Sequence, residues 1–429
     1  MPDPTSFDPY AGNILTKGLG SILSRQQALA KLTYLPPLPP RDIDKVPKHI
    51  RMHLVVTLRD FHVPSMEGGR LVETIDLMIR PSYRYRDPKL ASTWGVIGGE
   101  PIIHKTPRAP ATAAAVVGHS GSGKTEAILR ALNLYPQQVI THDTFPQLVD
   151  KHHQVVWQSI DVPASGRASD LAANLMMNWD ATMAKYFPRA PRRFEPALAK
   201  HQRDGSKMLD EWRQVASSHF LGLLHLDEVQ NFFRLQSLEK RQNRTNAKGG
   251  LELSIVEDQC LKWILTLTNT WQIPLLLSGT PDGIGALTNR LSNTERFVSS
   301  GYHQFPLFED AKSPIFFEGF LKQLANYQFV SKRLDVTPKF AEMIIELTGG
   351  VPRIIIALWV AAHRVAFEKR EDSLSPDDFK RAADTYLSPI AAPIAALRSK
   401  DPQRLARYED LISRDDGFWS TFWSTVGSL

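Results

Sequence analysis

The chain has 429 residues, a formal net charge of +6 and 42% hydrophobic residues, which points to two or three globular domains and excludes a disordered chain. Its single cysteine, Cys260, excludes an intrachain disulfide framework and a cysteine-rich zinc site, and fits a reducing, cytoplasmic setting. No apolar run reaches the length of a membrane span, the opening residues lack the order of a signal peptide, and the basic balance mildly favours a polyanionic partner.

In chain order, residues 1–34 read as helical after a Pro/Asp opening. LPPLPPRDIDKVP (35–47) has four prolines in its first six residues. That composition favours extended polyproline geometry, as a linker or a docking strip. KHIRMHLVVTLRD (48–60) reads as a helix with a basic side, and 69–110, rich in Pro, Arg and Tyr, reads as irregular. From residue 111 the pattern changes. TAAAVVG, VVWQSIDV (155–162), FLGLLHLDEVQ (220–230) and IPLLLSGT (273–280) are apolar strand signals, separated by helical stretches at 126–135, 168–187 and 251–270. Continuous apolar strands alternating with helices indicate a parallel sheet covered on both faces. From about residue 312 the signals are helical only, and Pro389 and Pro393 end the regular pattern. The divisions expected are an N-terminal extension (1–110), an α/β core (111–311), a helical lid (312–388) and a tail (389–429).

The strongest motif is Gly118-His119-Ser120-Gly121-Ser122-Gly123-Lys124-Thr125, a complete G-x-x-x-x-G-K-[ST] between a strand and a helix. Glycines let backbone N–H groups turn toward phosphates, and the helix N-terminus adds partial positive charge. Lys124 is then expected on the β and γ phosphates and Thr125 on Mg²⁺. The second motif is the strand that delivers Asp227 and Glu228 at its C-terminal end, where parallel sheets bind ligands. Asp227 is the candidate for the Mg²⁺ shell and Glu228 for the base that orients or deprotonates water. The third is LLLSGT, whose polar tip, Thr280 or Ser278, is placed to meet the γ-phosphate or the attacking water. Arg290 and Arg296 follow as candidates for an arginine acting in trans, with Arg296 preferred. Gly349-Gly350-Val351-Pro352-Arg353 opens a lid helix at Pro352 and turns Arg353 toward the nucleotide.

Read together, these segments resemble an AAA+ ATPase, a P-loop three-layer domain followed by an α-helical lid. Within that superfamily the chain is similar to the TnsC/TniB transposition regulators and more distantly to MuB. The resemblance rests on GHSGSGKT, VVWQSIDVP, LLHLDEVQNF, LLLSGTPDG, TGGVPRIIIALWVAAH and the preamble IRPSYRYRDP, and covers roughly 80–385. It implies ATP and Mg²⁺ as cofactors, and assembly of the chain with itself as rings or filaments on duplex DNA. It also implies a transposase and a target-selection protein or RNA-guided complex as partners, with no membrane and a nucleoid-associated location. The gap between Lys124 and Asp227 is long for such a core, and the excess falls at about 185–215.

Sequence-tolerant contact with DNA phosphates would use basic side chains. The candidates are Lys151, Arg167 and the cluster Lys240, Arg241, Arg244 and Lys248, with a solvated loop as the alternative for the cluster. His152-His153 reads as a helix-to-strand connection rather than a metal site. The aromatic tail GFWSTFWSTVGSL docks either on a partner or back on its own lid. Two other functions stay open: a replication-initiator or helicase-loader-like ATPase, and a nucleotide-switched scaffold with little turnover.

Overall fold

The structure, a computed structural model, describes residues 7–99, 112–199, 204–234, 254–255, 258–269, 271–290, 298–401, 404 and 416–427. Its strands in chain order are β1 Ala113–Gly118, β2 Val139–His142, β3 His152–Val155, β4 Trp157–Asp161, β5 Leu223–Asp227, β6 Phe233–Arg234, β7 Ser254–Ile255, β8 Leu275–Gly279 and β9 Gly301–Phe305. Five of them form one parallel sheet in the order β4-β5-β8-β1-β9. The pairs β2/β3 and β6/β7 are antiparallel and separate from it.

Alternation along each strand builds the layers. On β1, Ala113, Ala115 and Val117 enter one apolar cluster while Ala114 and Val116 enter another. On β5 and β8, Leu224, Leu226, Leu275 and Leu277 join the first, and Leu223 and Leu276 the second. Because successive strand side chains point to opposite faces, strands apolar at nearly every position must be covered twice. Helices Ala168–Tyr186, Gly205–Ser218 and Asp258–Asn269 cover the first face. Helices Arg25–Leu32, Met66–Tyr85 and Lys124–Leu132 cover the second. A third cluster holds the lid together, with Phe340, Trp359 and Phe379 packed edge to face.

Several elements differ from the sequence reading. The segment expected to be irregular, 69–110, holds most of the 20-residue helix Met66–Tyr85, with Pro81 inside it. An interior proline costs a helix about 3 kcal/mol. Here that is offset by the buried stripe Leu71, Val72, Ile75, Met78, Ile79 and Tyr83. The Arg/Tyr preamble fastens this helix to the segment leading into β5: Tyr83 Oη donates to the Phe220 carbonyl (3.1 Å) and Arg86 Nη1 to the Leu221 carbonyl (2.8 Å). Of the first 34 residues, only Arg25–Leu32 forms a helix among those described. The strand expected at 155–162 is divided, since β3 pairs with β2 and only β4 enters the main sheet. His152 and His153 therefore lie on a strand rather than in a connection. β9 was not anticipated. GYHQF alternates between half-exposed and buried positions at a sheet edge, so it lacks the apolar run of a central strand.

The expected insert contributes a helix to the layer on the first face. Trp212 and Leu209 of Gly205–Ser218 are fully buried, and Trp212 packs edge-on against Trp179 at 6.5 Å. Asp180 accepts the Arg193 and Phe194 amides at 3.0 Å each and so fixes the turn between the two helices.

The N-terminal extension bridges core and lid. Ile43, Met52, Val55, Leu58 and Phe61 belong to the lid cluster. The proline strip docks on the same unit, where the buried Tyr327 hydroxyl donates to the Pro36 carbonyl (2.7 Å). In the tail, helices Ala391–Ser399 and Asp416–Gly427 follow the lid, and Phe422 and Val426 are buried in the lid core. Among the described residues, no single helix is long and apolar enough to cross a membrane.

Candidate nucleotide site

β1 ends at Gly118, and the loop that follows turns into the helix Lys124–Leu132. Gly121 and Gly123 take φ values of +79° and +92°, a region that side chains with a Cβ rarely enter. Gly123 thereby caps the helix, and Ala127 N–H returns to its carbonyl (2.9 Å). Lys124, in the first turn, is only 5% exposed.

The carboxylates stand one strand away. Asp227 is 2% exposed at the end of β5. Its Oδ2 accepts the Thr125 hydroxyl (2.5 Å), and its Oδ1 accepts the Ser278 hydroxyl (2.5 Å) and the Glu228 amide (2.8 Å). Burial works to raise the Asp227 pKa, but His225, Lys124 and the two hydroxyls more than offset it and hold the carboxyl below its ordinary value. Because His225 is neutral at pH 7, the Lys124 charge and the hydroxyl donors carry this effect there. A hydroxyl and an ionised carboxylate in contact beside a phosphate loop are the oxygen donors that Mg²⁺ takes together with substrate phosphates. Thr125 and Asp227 therefore fit the metal.

Glu228 is different. It sits in the left-handed region at φ 56°, a conformation costing a non-glycine residue about 1–2 kcal/mol. Its Oε2 accepts from Gln230 Nε2, and Gln230 Oε1 in turn accepts the Thr280 amide (3.2 Å). Burial first, and then the Asp227 charge, raise the Glu228 pKa. Of the two hydroxyls at the tip of β8, Ser278 touches Asp227. Thr280 starts the helix Pro281–Arg290, accepting the Gly283 amide at its Oγ1 (3.4 Å).

The lid reaches the loop through the start of the helix Pro352–Glu368. Arg353 N–H donates to the Gly121 carbonyl (3.4 Å), and its Nη2 donates to Ser120 Oγ (3.2 Å). Gly121 makes this approach possible, since a Cβ there would fall 2.8 Å from Val351 Cγ1, while Gly350, at φ +71°, lets the start of the lid helix pass against the Phe308 backbone.

The AAA domain family matches residues 108–287, the span that holds the loop, Asp227, Glu228 and Ser278. This span is an AAA domain. Among solved structures, the chain is similar to a Walker-type ATPase of Pyrococcus abyssi, at 13% identity and a TM-score of 0.39 over 73% of this chain and 83% of that one. It is also similar to the ORC2 protein of Aeropyrum pernix, solved as ADPNP–ADP complexes, at 15% identity and a TM-score of 0.35 over 64% of this chain and 62% of that one. No curated protein matches.

The remaining candidates are not gathered at this site. Lys151 precedes β3 and pairs with Asp143 (2.7 Å), both exposed. Arg167 is exposed just beyond β4, so the two basic residues lie at opposite ends of the β3–β4 run. Lys240, Arg241, Arg244, Lys248 and Arg296 lie outside the described residues, as does the side chain of Arg290. His152 stacks on His219 at 5.5 Å, and among the described residues no group of three His, Cys, Asp or Glu is placed to hold a metal ion. The sequence reading missed His225, Ser159 and Gln230. The signal for the first two was strand alternation, since His225 lies on the same face of β5 as Asp227.

Proposed function

We propose that this ATPase uses its nucleotide cycle to assemble on duplex DNA and, from that assembly, links a target-selection factor to a transposase. The observation that carries this reading is the convergence of GHSGSGKT, HLDEVQNF, LSGTPDG and TGGVPR on one site. These are the segments by which the chain resembles the TnsC/TniB regulators. The net charge of +6 supports a polyanionic partner.

In this reading, the loop amides and Lys124 bind the phosphates, and Arg353 reads the nucleotide from the lid. Mg²⁺ held beside Thr125 and Asp227 supplies charge neutralisation at the phosphates. Glu228, released from Gln230, accepts a proton from the attacking water. Its raised pKa brings it closer to the pH at which a base works best. Arg296 or Arg290 of a neighbouring copy neutralises transition-state charge, and hydrolysis resets the assembly. Lys151, Arg167 and the 240–248 cluster contact DNA phosphates.

The test is electron microscopy of the full chain with duplex DNA and a slowly hydrolysed ATP analogue. Rings or filaments that need nucleotide and tolerate any sequence are expected. Lys124→Ala should lose nucleotide and DNA binding together. Binding confined to one duplex sequence would favour a replication-initiator-like ATPase instead. Monomers that ignore DNA would remove the DNA reading.

A further inference from the structure

A row of buried polar side chains crosses the sheet beneath the carboxylates. Ser159 on β4 and His225 on β5 are register partners. Ser159 Oγ lies 2.8 Å from His225 Nδ1, His225 Nε2 lies 2.7 Å from Ser278 Oγ on β8, and Ser278 Oγ lies 2.5 Å from Asp227 Oδ1. His225 and Ser278 are fully buried. Around them the same face of the sheet is apolar, with Leu223, Leu276 and Val116 as neighbours.

The direction of every proton in this row is fixed. An ionised carboxylate only accepts, so the Ser278 proton points to Asp227. The Ser278 oxygen can then accept, and it faces Nε2, which must carry the imidazole proton. Nδ1 is left as an acceptor and takes the Ser159 proton. Each donor strengthens the next in a dry environment. With its oxygen accepting the Nε2–H, Ser278 directs its single proton to Asp227, and Asp227 Oδ1 is held between Ser278 and the Glu228 amide. The other oxygen of Asp227 is thereby turned toward Thr125.

We infer that His225 is a positioning residue for the nucleotide-bound metal: through Ser278 it fixes the plane of the Asp227 carboxylate, and Ser159 fixes its own tautomer. The inference rests on Asp227 belonging to the metal shell and is independent of the DNA reading. His225 touches neither nucleotide nor metal. Partners of this kind typically alter metal affinity by about 10–100-fold when removed.

The experiment measures Mn²⁺ binding to the ADP-loaded full chain by electron paramagnetic resonance, with ADP affinity in EDTA measured alongside. His225→Leu and Ser278→Ala should each weaken Mn²⁺ by about tenfold and leave metal-free ADP binding unchanged. His225→Gln keeps an N–H donor for Ser278 and should recover most of the loss. Combining His225→Leu with Ser278→Ala should add little to either change, because both act through one bond. Ser278→Ala removes a single oxygen and keeps the test open if His225→Leu fails to fold. Wild-type Mn²⁺ affinity in a folded His225→Leu or Ser278→Ala protein would overturn the inference, as would a His225→Gln protein no better than His225→Leu. Wild-type Mn²⁺ affinity in Asp227→Asn would instead overturn the metal assignment beneath it.

Discussion

The indole of Trp419 covers the guanidinium of Arg353, with 4.7 Å between the guanidinium carbon and the ring centroid. The same guanidinium donates through Nη2 to Ser120 of the phosphate loop. The C-terminal helix Asp416–Gly427 thus touches a lid residue that touches the loop, while Phe422 and Val426 anchor it in the lid core. A tail that sequence alone left between a partner and its own lid is seated on the lid.

This contact pre-orients Arg353, and a stacked cation of this kind contributes about 0.5–2 kcal/mol. Trp419→Ala should therefore weaken nucleotide affinity by roughly 2- to 30-fold, by conversion of that range. Titration with a fluorescent ATP analogue reads the change. Tighter binding in Trp419→Ala would mean that the tail competes with nucleotide for Arg353.

Arg51 ties the N-terminal extension to the lid. It is 3% exposed, holds Asp372 with Nη1–oxygen distances of 2.8 and 2.7 Å, and donates through Nε to the Val46 carbonyl (2.6 Å). Arg51→Met leaves the carboxylate without its cation, and the expected loss is about 3 kcal/mol because Asp372 retains some solvent. Urea unfolding measures it. A change under about 1 kcal/mol would show that the pair adds little.

What the sequence disclosed follows from how local each signal is. The phosphate loop and the strand bearing Asp227 and Glu228 depend on consecutive residues, so they could be read directly. The helix Met66–Tyr85 could not, because Pro81 and the surrounding arginines and tyrosines argue locally for irregular chain. Its buried stripe and its contacts with Phe220 and Leu221 decide otherwise. The division at Val155–Trp157 depends on β2, a four-residue strand with little signal of its own. The choice between Ser278 and Thr280 was open in composition alone. Strand alternation and the geometry of β5 give the Asp227 contact to Ser278.

Acid should destabilise the fold through buried neutral histidines. His363 is fully buried, accepts the Phe329 amide at Nε2 (3.2 Å) and uses Nδ1 toward the Trp359 carbonyl (2.8 Å). Burial pushes its pKa from 6.5 down to about 4. The unfolded chain takes up this proton below pH 6.5 and the folded chain only near 4, so stability is full above 6.5 and falls between those values. The loss is about 1 kcal/mol by pH 5.5 for this residue. His152, pushed down to about 3 by burial and then by His219 and His142, adds in the same direction. Urea midpoints at pH 7.5 and 5.5 should differ accordingly, and His363→Gln should reduce the difference. A pH-independent midpoint would contradict the buried neutral state.

In the proposed cycle, hydrolysis at Glu228 is the step expected to release the protein from DNA. Its most direct test follows ATP turnover and DNA-bound assembly together in Glu228→Gln. Turnover should fall by about 10²–10⁴-fold, the usual contribution of a general base, while nucleotide binding is retained and assemblies on duplex DNA persist after the wild-type protein has dispersed. A Glu228→Gln protein that hydrolyses ATP at the wild-type rate, or whose DNA-bound assemblies disperse on the wild-type schedule, would contradict it.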